Sequence, residues 1–173
     1  DDGSTDESGN ICEYYKSQNK SIRVIHKKNE GLSAARNSGI HVATCDYLWF
    51  IASVDWLMNE KALDIISEKL RKESTDVVLY SYQKYYPISR SYSKGALCKR
   101  ADYSNKSTLI QKNVYKACAW DKVVKRSLIN EKQLIFPVGK TSEDIPWCAE
   151  ILVYSDKISV CTNNLLAYRQ REG

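Results

Sequence analysis

Short apolar runs alternate with helical segments through the first half of the chain, and this alternation constrains the fold most. Runs typical of strands occupy residues 21–26, 46–51 and 76–82, and segments with helical spacing lie between them at 31–42 and 59–70. Units of strand, helix and strand build α/β folds, in which most strands run parallel. We therefore expect an α/β, Rossmann-like domain with a mainly parallel sheet flanked by helices.

The spacing of apolar residues also predicts which helix faces point inward. For the helix that follows Gly31, the predicted inward residues are Leu32, Ala35, Gly39 and Val42. For the next helix they are Leu63, Ile66 and Leu70.

The second half of the chain is less regular. Residues 84–113 are polar and rich in Tyr, Ser and Lys, which is typical of a functional or mobile excursion. The stretch "ACAWDKVVKRSLI" at 117–129 predicts a turn and a helix. Beyond it we expect a short strand at 133–136, a helix at 143–154 and two strands at 157–161 and 165–170.

A length of 173 residues suits a single domain, 1–173. The chain opens with "DDGSTDES", a pattern typical of the end of a strand followed by a turn and a helix cap. Because no strand stands in front of that turn, we expect a sheet that is incomplete at the N-terminus.

Positive charge is concentrated in the middle of the chain. The net charge is +5, and residues 84–140 hold thirteen Lys and Arg against three acids. Such a segment can face nucleic acid, an anionic membrane surface or a phosphate-bearing ligand, or can simply be a solvated surface. No helix-turn-helix, RNP or zinc-finger pattern is present, so no nucleic-acid partner is expected. No run approaches the length of a membrane span.

Five motifs resemble, in order, those of the family-2 glycosyltransferases, which are inverting enzymes with a GT-A fold. They are "DDGSTD" (1–6), "NEGLSAARNSGI" (29–40), "DYLWFIASVDWL" (46–57), "AWDKVVKRSLI" (119–129) and "SEDIPW" (142–147). The resemblance implies sugar transfer from a nucleotide-diphosphate donor to a saccharide or lipid-linked acceptor. It also implies a nucleotide-sugar-binding half at 1–82 and an acceptor-side half at 83–173.

On this resemblance, Asp144 is the base that takes the proton from the acceptor hydroxyl. Arg36 lies on the helix after Gly31, where its guanidinium can bind diphosphate oxygens in a bidentate manner. Asp1 or Asp2 is a candidate nucleoside contact. Each has a structural alternative: a helix-capping acid for Asp144, a surface ion pair for Arg36, and turn residues for Asp1 and Asp2.

The same resemblance assigns four residues to the acceptor side. They are Trp120, Asp121, Lys122 and Glu143. A place in the core is the structural alternative for Trp120.

The segment Ala52-Ser53-Val54-Asp55-Trp56 departs from the family pattern. Relatives have Asp-Ser-Asp-Asp-Trp there, the DxD site whose acids hold the ribose and a divalent metal. Of the three acids only Asp55 is present. The resemblance therefore implies that Ser53 and Asp55 contact the nucleotide sugar and that Asp55 alone binds Mn²⁺ or Mg²⁺, only weakly.

These departures leave two hypotheses for the activity. One is a glycosyltransferase impaired by the loss of two carboxylates; the other is a non-catalytic nucleotide-binding or scaffolding relative with the same fold. The expected setting is the cytoplasm, possibly at the inner face of the cell membrane, with peripheral contact through the basic surface.

Overall fold

A computed structural model of the chain describes residues 1–97 and 105–171. The helices are α1 Ser8–Gln18, α2 Leu32–Val42, α3 Ala62–Glu73, α4 Lys106–Gln111, α5 Arg126–Glu131 and α6 Asp144–Tyr154. The strands are β1 Tyr47–Trp49, β2 Trp56–Leu57, β3 Val77–Tyr86, β4 Ser91–Tyr92, β5 Lys122–Lys125 and β6 Ile158–Arg169. A 3₁₀ turn, Ala119–Asp121, leads into β5.

The strands join in one sheet with the order β1-β5-β3-β6-β2, and β4 pairs with the far end of β3. The long central pair, β3 and β6, is parallel. The other pairings within the described ranges are antiparallel. The layered α/β architecture is confirmed, whereas the prediction of a mainly parallel sheet is wrong, because the sheet is mixed.

The sheet is mixed because of β5, a segment that sequence analysis had placed inside a helix. Its β-branched pair, Val123 and Val124, favours a strand, and this strand lies between β1 and β3 and runs antiparallel to both. The helix begins only at Arg126. One misassigned strand therefore changes the direction of two pairings.

Alternate residues of β3 supply the two faces of the core. Val77 and Leu79 belong to one cluster, which also contains Phe136, from the segment before α6, and Trp147 of α6. Val78 and Tyr80 face the other cluster, together with residues of α3 and β6. Because β3 is buried on both faces, it is the strand around which both helical layers pack.

Several element boundaries differ from the predictions. No strand is assigned at 21–26 or 133–136, and the two predicted C-terminal strands form a single β6 with register shifts after Cys161. The polar excursion at 84–113 contains the end of β3, β4 and α4, and its residues 98–104 lie outside the described ranges.

Helix α2 turns a different face inward from the one predicted. Leu32 and Val42 are exposed, whereas Ser33 is buried and Ile40 packs against the core. In α3, Leu63 is exposed and Ala62 takes its place beside Ile66. Among the residues described, no helix is long and apolar enough to cross a bilayer.

Candidate functional site

The carboxylate of Asp144 lies at the first residue of α6 and is held from two sides. Its Oδ1 accepts a hydrogen bond from Nη1 of Arg36, and its Oδ2 accepts one from the backbone N–H of Ala119 at 3.2 Å. Nη1 of Arg36 also donates to Glu143 at 3.0 Å. The Asp144 side chain is 18% exposed, so a positioned carboxylate remains accessible from solvent.

Arg36 reaches this carboxylate pair from α2, more than one hundred residues away in sequence. Its guanidinium carbon lies 4.9 Å from the centre of the Phe136 ring, and that ring stacks on Trp147 of α6 at 4.4 Å. The neighbouring residue Asn37 exchanges two hydrogen bonds of 2.8 Å with the backbone of Phe136. Together these contacts fix α2 against the start of α6.

Asp121 and Lys122 are buried beside this group and form an ion pair with each other. Lys122 Nζ also donates to the carbonyls of Lys116 and Cys118. Burial by itself would lower the pKa of Lys122, but the Asp121 carboxylate together with the thiols of Cys148 and Cys118 outweighs burial and raises that pKa. Both side chains are thus enclosed in protein, which supports a structural role within the segment that carries Ala119.

Trp120 is partly exposed and belongs to an aromatic cluster. Its ring stacks on Tyr168 at 4.5 Å and meets Tyr82 edge-on at 4.7 Å. Nζ of Lys116 donates to the Tyr82 hydroxyl at 2.9 Å. Trp120 directly follows Ala119, whose backbone N–H donates to Asp144, while its ring packs against the cluster that contains Tyr82 and Tyr168.

The segment from Ala52 to Asp55 forms a tight turn closed by a hydrogen bond of 3.0 Å from the N–H of Asp55 to the carbonyl of Ala52. Ser53 and Val54 occupy its corner and are exposed. Asp55 turns back toward the sheet, where its Oδ1 accepts the N–H of Arg169 at 2.9 Å. Its Oδ2 is buried without a hydrogen-bond partner in the described structure. Burial raises the pKa of Asp55, and the Arg169 hydrogen bond offsets this only in part.

This turn does not fit a divalent cation. Mg²⁺ and Mn²⁺ favour several oxygen ligands, and here one oxygen of Asp55 is committed to a backbone N–H while the other is buried. Within residues 1–97 and 105–171, no group of three or more His, Cys, Asp or Glu side chains could hold a metal ion. The weak metal site that the resemblance implied for Asp55 therefore lacks ligands in these ranges.

Asp1 and Asp2 lie at the opening turn, and their carboxylates are engaged with nearby groups. Asp1 contacts Nδ1 of His26 at 2.7 Å and accepts the N–H of Ser4. Asp2 accepts the N–H of Gly31 at 2.7 Å, which anchors the loop that leads into α2. Although partial desolvation acts the other way, hydrogen bonds from the Glu30 and Gly31 backbone lower the pKa of Asp2.

The fold thus brings together one group of the predicted residues: Arg36, Glu143, Asp144 and the segment 119–122. In the part of the chain that the structure describes, no direct contact joins this group to Asp1, Asp2 or Asp55. Sequence analysis did not assign Lys116 or Tyr168 to the site. Lys116 contacts Tyr82, and Tyr168 stacks on Trp120. Both contacts join residues far apart in sequence, and no local sequence pattern predicts them.

Comparison with solved structures defines the class of the fold. The structure of residues 1–349 of TarS from S. aureus in complex with UDP-GlcNAc matches 100% of this chain and 49% of that chain, with a TM-score of 0.80 and 22% identity. The predicted GT-A-like fold is confirmed by this similarity. A sequence model of Glycosyl transferase family 2 matches residues 1–131, and the chain therefore belongs to that family.

Two curated relatives come from Streptococcus pneumoniae. Glycosyltransferase GlyA is 30% identical over 184 positions, which cover 99% of this chain and 26% of GlyA. Glycosyltransferase GlyG is 29% identical over 189 positions, which cover 100% of this chain and 60% of GlyG. The chain thus spans about a quarter of one relative and three fifths of the other.

Proposed function

We propose that the chain transfers a sugar, with inversion, from a nucleotide-diphosphate donor to a hydroxyl of a saccharide or lipid-linked acceptor. Membership of glycosyltransferase family 2 supports sugar transfer from a nucleotide donor. The observation that carries the finer proposal is the Asp144 carboxylate, which Arg36 and Ala119 fix in one orientation at an accessible position.

In the proposed step, Asp144 takes the proton of the acceptor hydroxyl as its oxygen attacks the anomeric carbon. The new carbon–oxygen bond forms on the face opposite to the diphosphate. The bond from the anomeric carbon to the diphosphate oxygen breaks, and its electron pair leaves with the diphosphate. Attack on the opposite face accounts for inversion. A base held in place before substrate binds removes part of the entropic barrier.

The acceptor is proposed to lie beside Trp120, which follows Ala119, the residue whose N–H holds the Asp144 carboxylate. Aromatic rings supply large, rigid contact areas for sugar rings, and the stacked pair of Trp120 and Tyr168 offers such an area. Lys116 adds a cation at the edge of this cluster. The enclosed Asp121 and Lys122 support the site by holding the 116–119 backbone.

Release of the nucleoside diphosphate tests the proposal. UDP-GlcNAc is a suitable donor because TarS, which shares the fold, has been crystallised with it; UDP-glucose and UDP-galactose complete a small panel. Asp144→Asn should reduce release by roughly 100-fold or more, the usual contribution of a general base. The control is Asp64→Asn, because Asp64 is also a first-turn helix acid but is exposed and lies on α3. Equal rates for Asp144→Asn and wild type would contradict the proposal.

A non-catalytic nucleotide-binding relative remains the second candidate, favoured by the turn at Ala52–Asp55. Many family 2 enzymes use a divalent cation, and the described residues of this turn do not fit one. Binding of UDP without release of UDP from any donor in the panel would favour this candidate. If no other group takes over the role of the two missing carboxylates, we expect impaired transfer. Release of the nucleoside diphosphate would then be slow but would still depend on Asp144.

The cellular setting is proposed from charge alone. The positive excess in residues 84–140 suits contact with anionic lipid at the inner face of the cell membrane, where a cytoplasmic enzyme meets nucleotide sugars and lipid-linked acceptors. Co-sedimentation with vesicles that contain anionic lipid, compared with neutral vesicles, checks this proposal. Equal binding to both vesicle types would contradict it.

A further inference from the structure

Lys122 is a buried cation on the side of the sheet that faces α6. Its side chain is fully buried, and as the first residue of β5 it shares a sheet face with Val124, which belongs to the same cluster as Trp147 and Cys148 of α6. Although burial alone would lower the pKa of Lys122, its neighbours raise that pKa, so the side chain is an ammonium ion. A buried charge is costly unless it is paired and hydrogen-bonded, and the partners of this one lead toward Asp144.

One contact of this ammonium is with the peptide group that holds Asp144. Nζ of Lys122 donates to the carbonyl oxygen of Cys118. The next N–H along the chain, that of Ala119, donates to Oδ2 of Asp144 at 3.2 Å. The carbonyl of residue 118 and the N–H of residue 119 belong to the same peptide group. Because a trans peptide is planar, its C=O and N–H point in opposite directions, so the cation and the carboxylate lie at opposite ends of one peptide dipole.

This alignment strengthens the hydrogen bond to Asp144. A cation at the carbonyl oxygen draws electron density toward that oxygen, which makes the N–H on the other side of the peptide a stronger donor. Hydrogen bonds in such a chain polarise one another, by about 10–30% per bond in condensed phases. The bond at the N–H end is itself charge-assisted, since its acceptor is a carboxylate.

The pairing of Lys122 with Asp121 makes this effect local. Oδ1 of Asp121 accepts a hydrogen bond from the same Nζ, so the two charges largely cancel at a distance. The effect on Asp144 is therefore carried by the hydrogen-bonded peptide rather than by the net charge of the pair. Two further contacts of Nζ, with the carbonyl of Lys116 at 3.1 Å and with Sγ of Cys148 at 3.6 Å, fix the ammonium between the 116–119 segment and α6.

Building on the proposed role of Asp144 as the base, we infer that Lys122 is a positioning residue for it. The ammonium polarises the 118–119 peptide, and that peptide holds Oδ2 of Asp144 while Arg36 holds Oδ1. Because Lys122 is fully buried, it acts through the peptide and contacts no substrate. Without this polarisation the carboxylate is held less firmly in the orientation that proton transfer needs.

The experiment observes the Ala119 amide directly, by proton–nitrogen correlation NMR of the protein. The informative variant is Asp121→Asn combined with Lys122→Met, because Lys122→Met alone would leave a buried carboxylate without its cation. We expect the Ala119 amide proton to move upfield and to exchange faster with solvent in this variant, because its hydrogen bond is weaker. The matched control is Lys69→Met, since Lys69 also forms an ion pair, with Glu73 on α3, and should leave the Ala119 resonance in place.

Transfer kinetics with the same UDP-sugar panel supply the second readout. We expect Asp121→Asn with Lys122→Met to lower kcat by roughly tenfold or more, within the cost of a misplaced catalytic group. KM for the donor should stay within about twofold, because no donor contact is removed. A role confined to packing would lower stability but leave the Ala119 amide of the folded variant in its wild-type position. That result would overturn the inference, as would an unchanged kcat.

Failure of this inference can be told apart from failure of the proposed function. If wild type transfers no sugar from any donor, the proposed function fails, and the Ala119 amide still decides whether Lys122 acts on Asp144. Asp144→Asn is the reference for a weakened bond, because an amide oxygen is a weaker acceptor than a carboxylate and should move the same resonance upfield. Unfolding midpoints verify that each variant is folded. If the first double variant is not, Asp121→Asn with Lys122→Gln, which keeps a polar side chain without the charge, carries the test.

Discussion

At the scale of single residues, Asp55 illustrates what sequence alone could and could not predict. The family pattern suggests a metal ligand at Asp55, because carboxylates at this site commonly serve that purpose. The structure instead commits one Asp55 oxygen to the Arg169 backbone and buries the other. Residue 169 lies more than one hundred positions away, and nothing near Asp55 in sequence indicates this contact.

The buried carboxylate leads to a prediction about pH. A carboxyl group with a raised pKa in the folded chain favours folding below its unfolded value of 3.8, and this contribution is lost as pH rises through the folded pKa. Asp55→Asn keeps an acceptor for Arg169 and does not ionise. The free energy of unfolding of wild type should therefore fall relative to Asp55→Asn as pH rises from below 3.8 toward neutrality. Chemical denaturation at several pH values checks this, and a pH-independent difference would contradict it.

A second prediction concerns the two apolar residues of the same turn. Ala52→Asp together with Val54→Asp introduces the acids that the family-2 resemblance implies there, and the exposed Val54 side chain leaves room for its replacement. We expect the double variant to gain Mn²⁺-dependent UDP binding that wild type lacks. The control is Leu63→Asp, because Leu63 is also an exposed apolar residue. Identical titrations with Mn²⁺ and with EDTA for the double variant would show that this turn is not the donor site.

At the scale of elements, α2 shows how a correct helix can be assigned the wrong face. Its bounds match the predicted 31–42 closely. The apolar spacing nevertheless points to Leu32 and Val42, which are exposed. The face that turns inward is largely polar and includes Arg36 and Asn37, whose partners lie about one hundred residues away. Hydrophobic periodicity cannot find a face that is buried by hydrogen bonds.

The attachment of α2 through Asn37 can be tested by mutation. Asn37→Ala leaves the N–H and carbonyl of Phe136 without their partners, which should lower the free energy of unfolding by about 1–3 kcal/mol. Asn10→Ala is the control, because Asn10 is exposed on α1 and should change stability by less than about 0.5 kcal/mol. Equal effects of the two substitutions would contradict the role given to Asn37.

At the scale of the whole molecule, the parallel pair of β3 and β6 organises the domain. The α/β class followed from the alternating pattern, because that pattern reflects which segments are buried. The direction of the strands did not follow, because it depends on where β5 inserts, and one short β-branched run beside a helix is ambiguous in sequence. Members of the site come from α2, the 3₁₀ turn and α6, so only the assembled sheet defines it.

Hydrogen exchange should follow this organisation. Amides of β3 and β6 lie in the centre of the sheet and should exchange most slowly, whereas α1 has no buried residue and should exchange much faster. Exchange measured by mass spectrometry or NMR checks the order. Protection of α1 equal to that of β3 would show that the stable unit of the molecule has been misidentified.

The central claim is that the chain binds a nucleoside diphosphate without a metal held by the Ala52–Asp55 turn. The most direct test is calorimetric titration of UDP into wild-type protein, once in EDTA and once in Mn²⁺. We predict binding in EDTA, with an affinity within about threefold of that in Mn²⁺ (about 0.7 kcal/mol). Binding that requires Mn²⁺ would contradict the claim, because it would require metal ligands that the described turn does not supply.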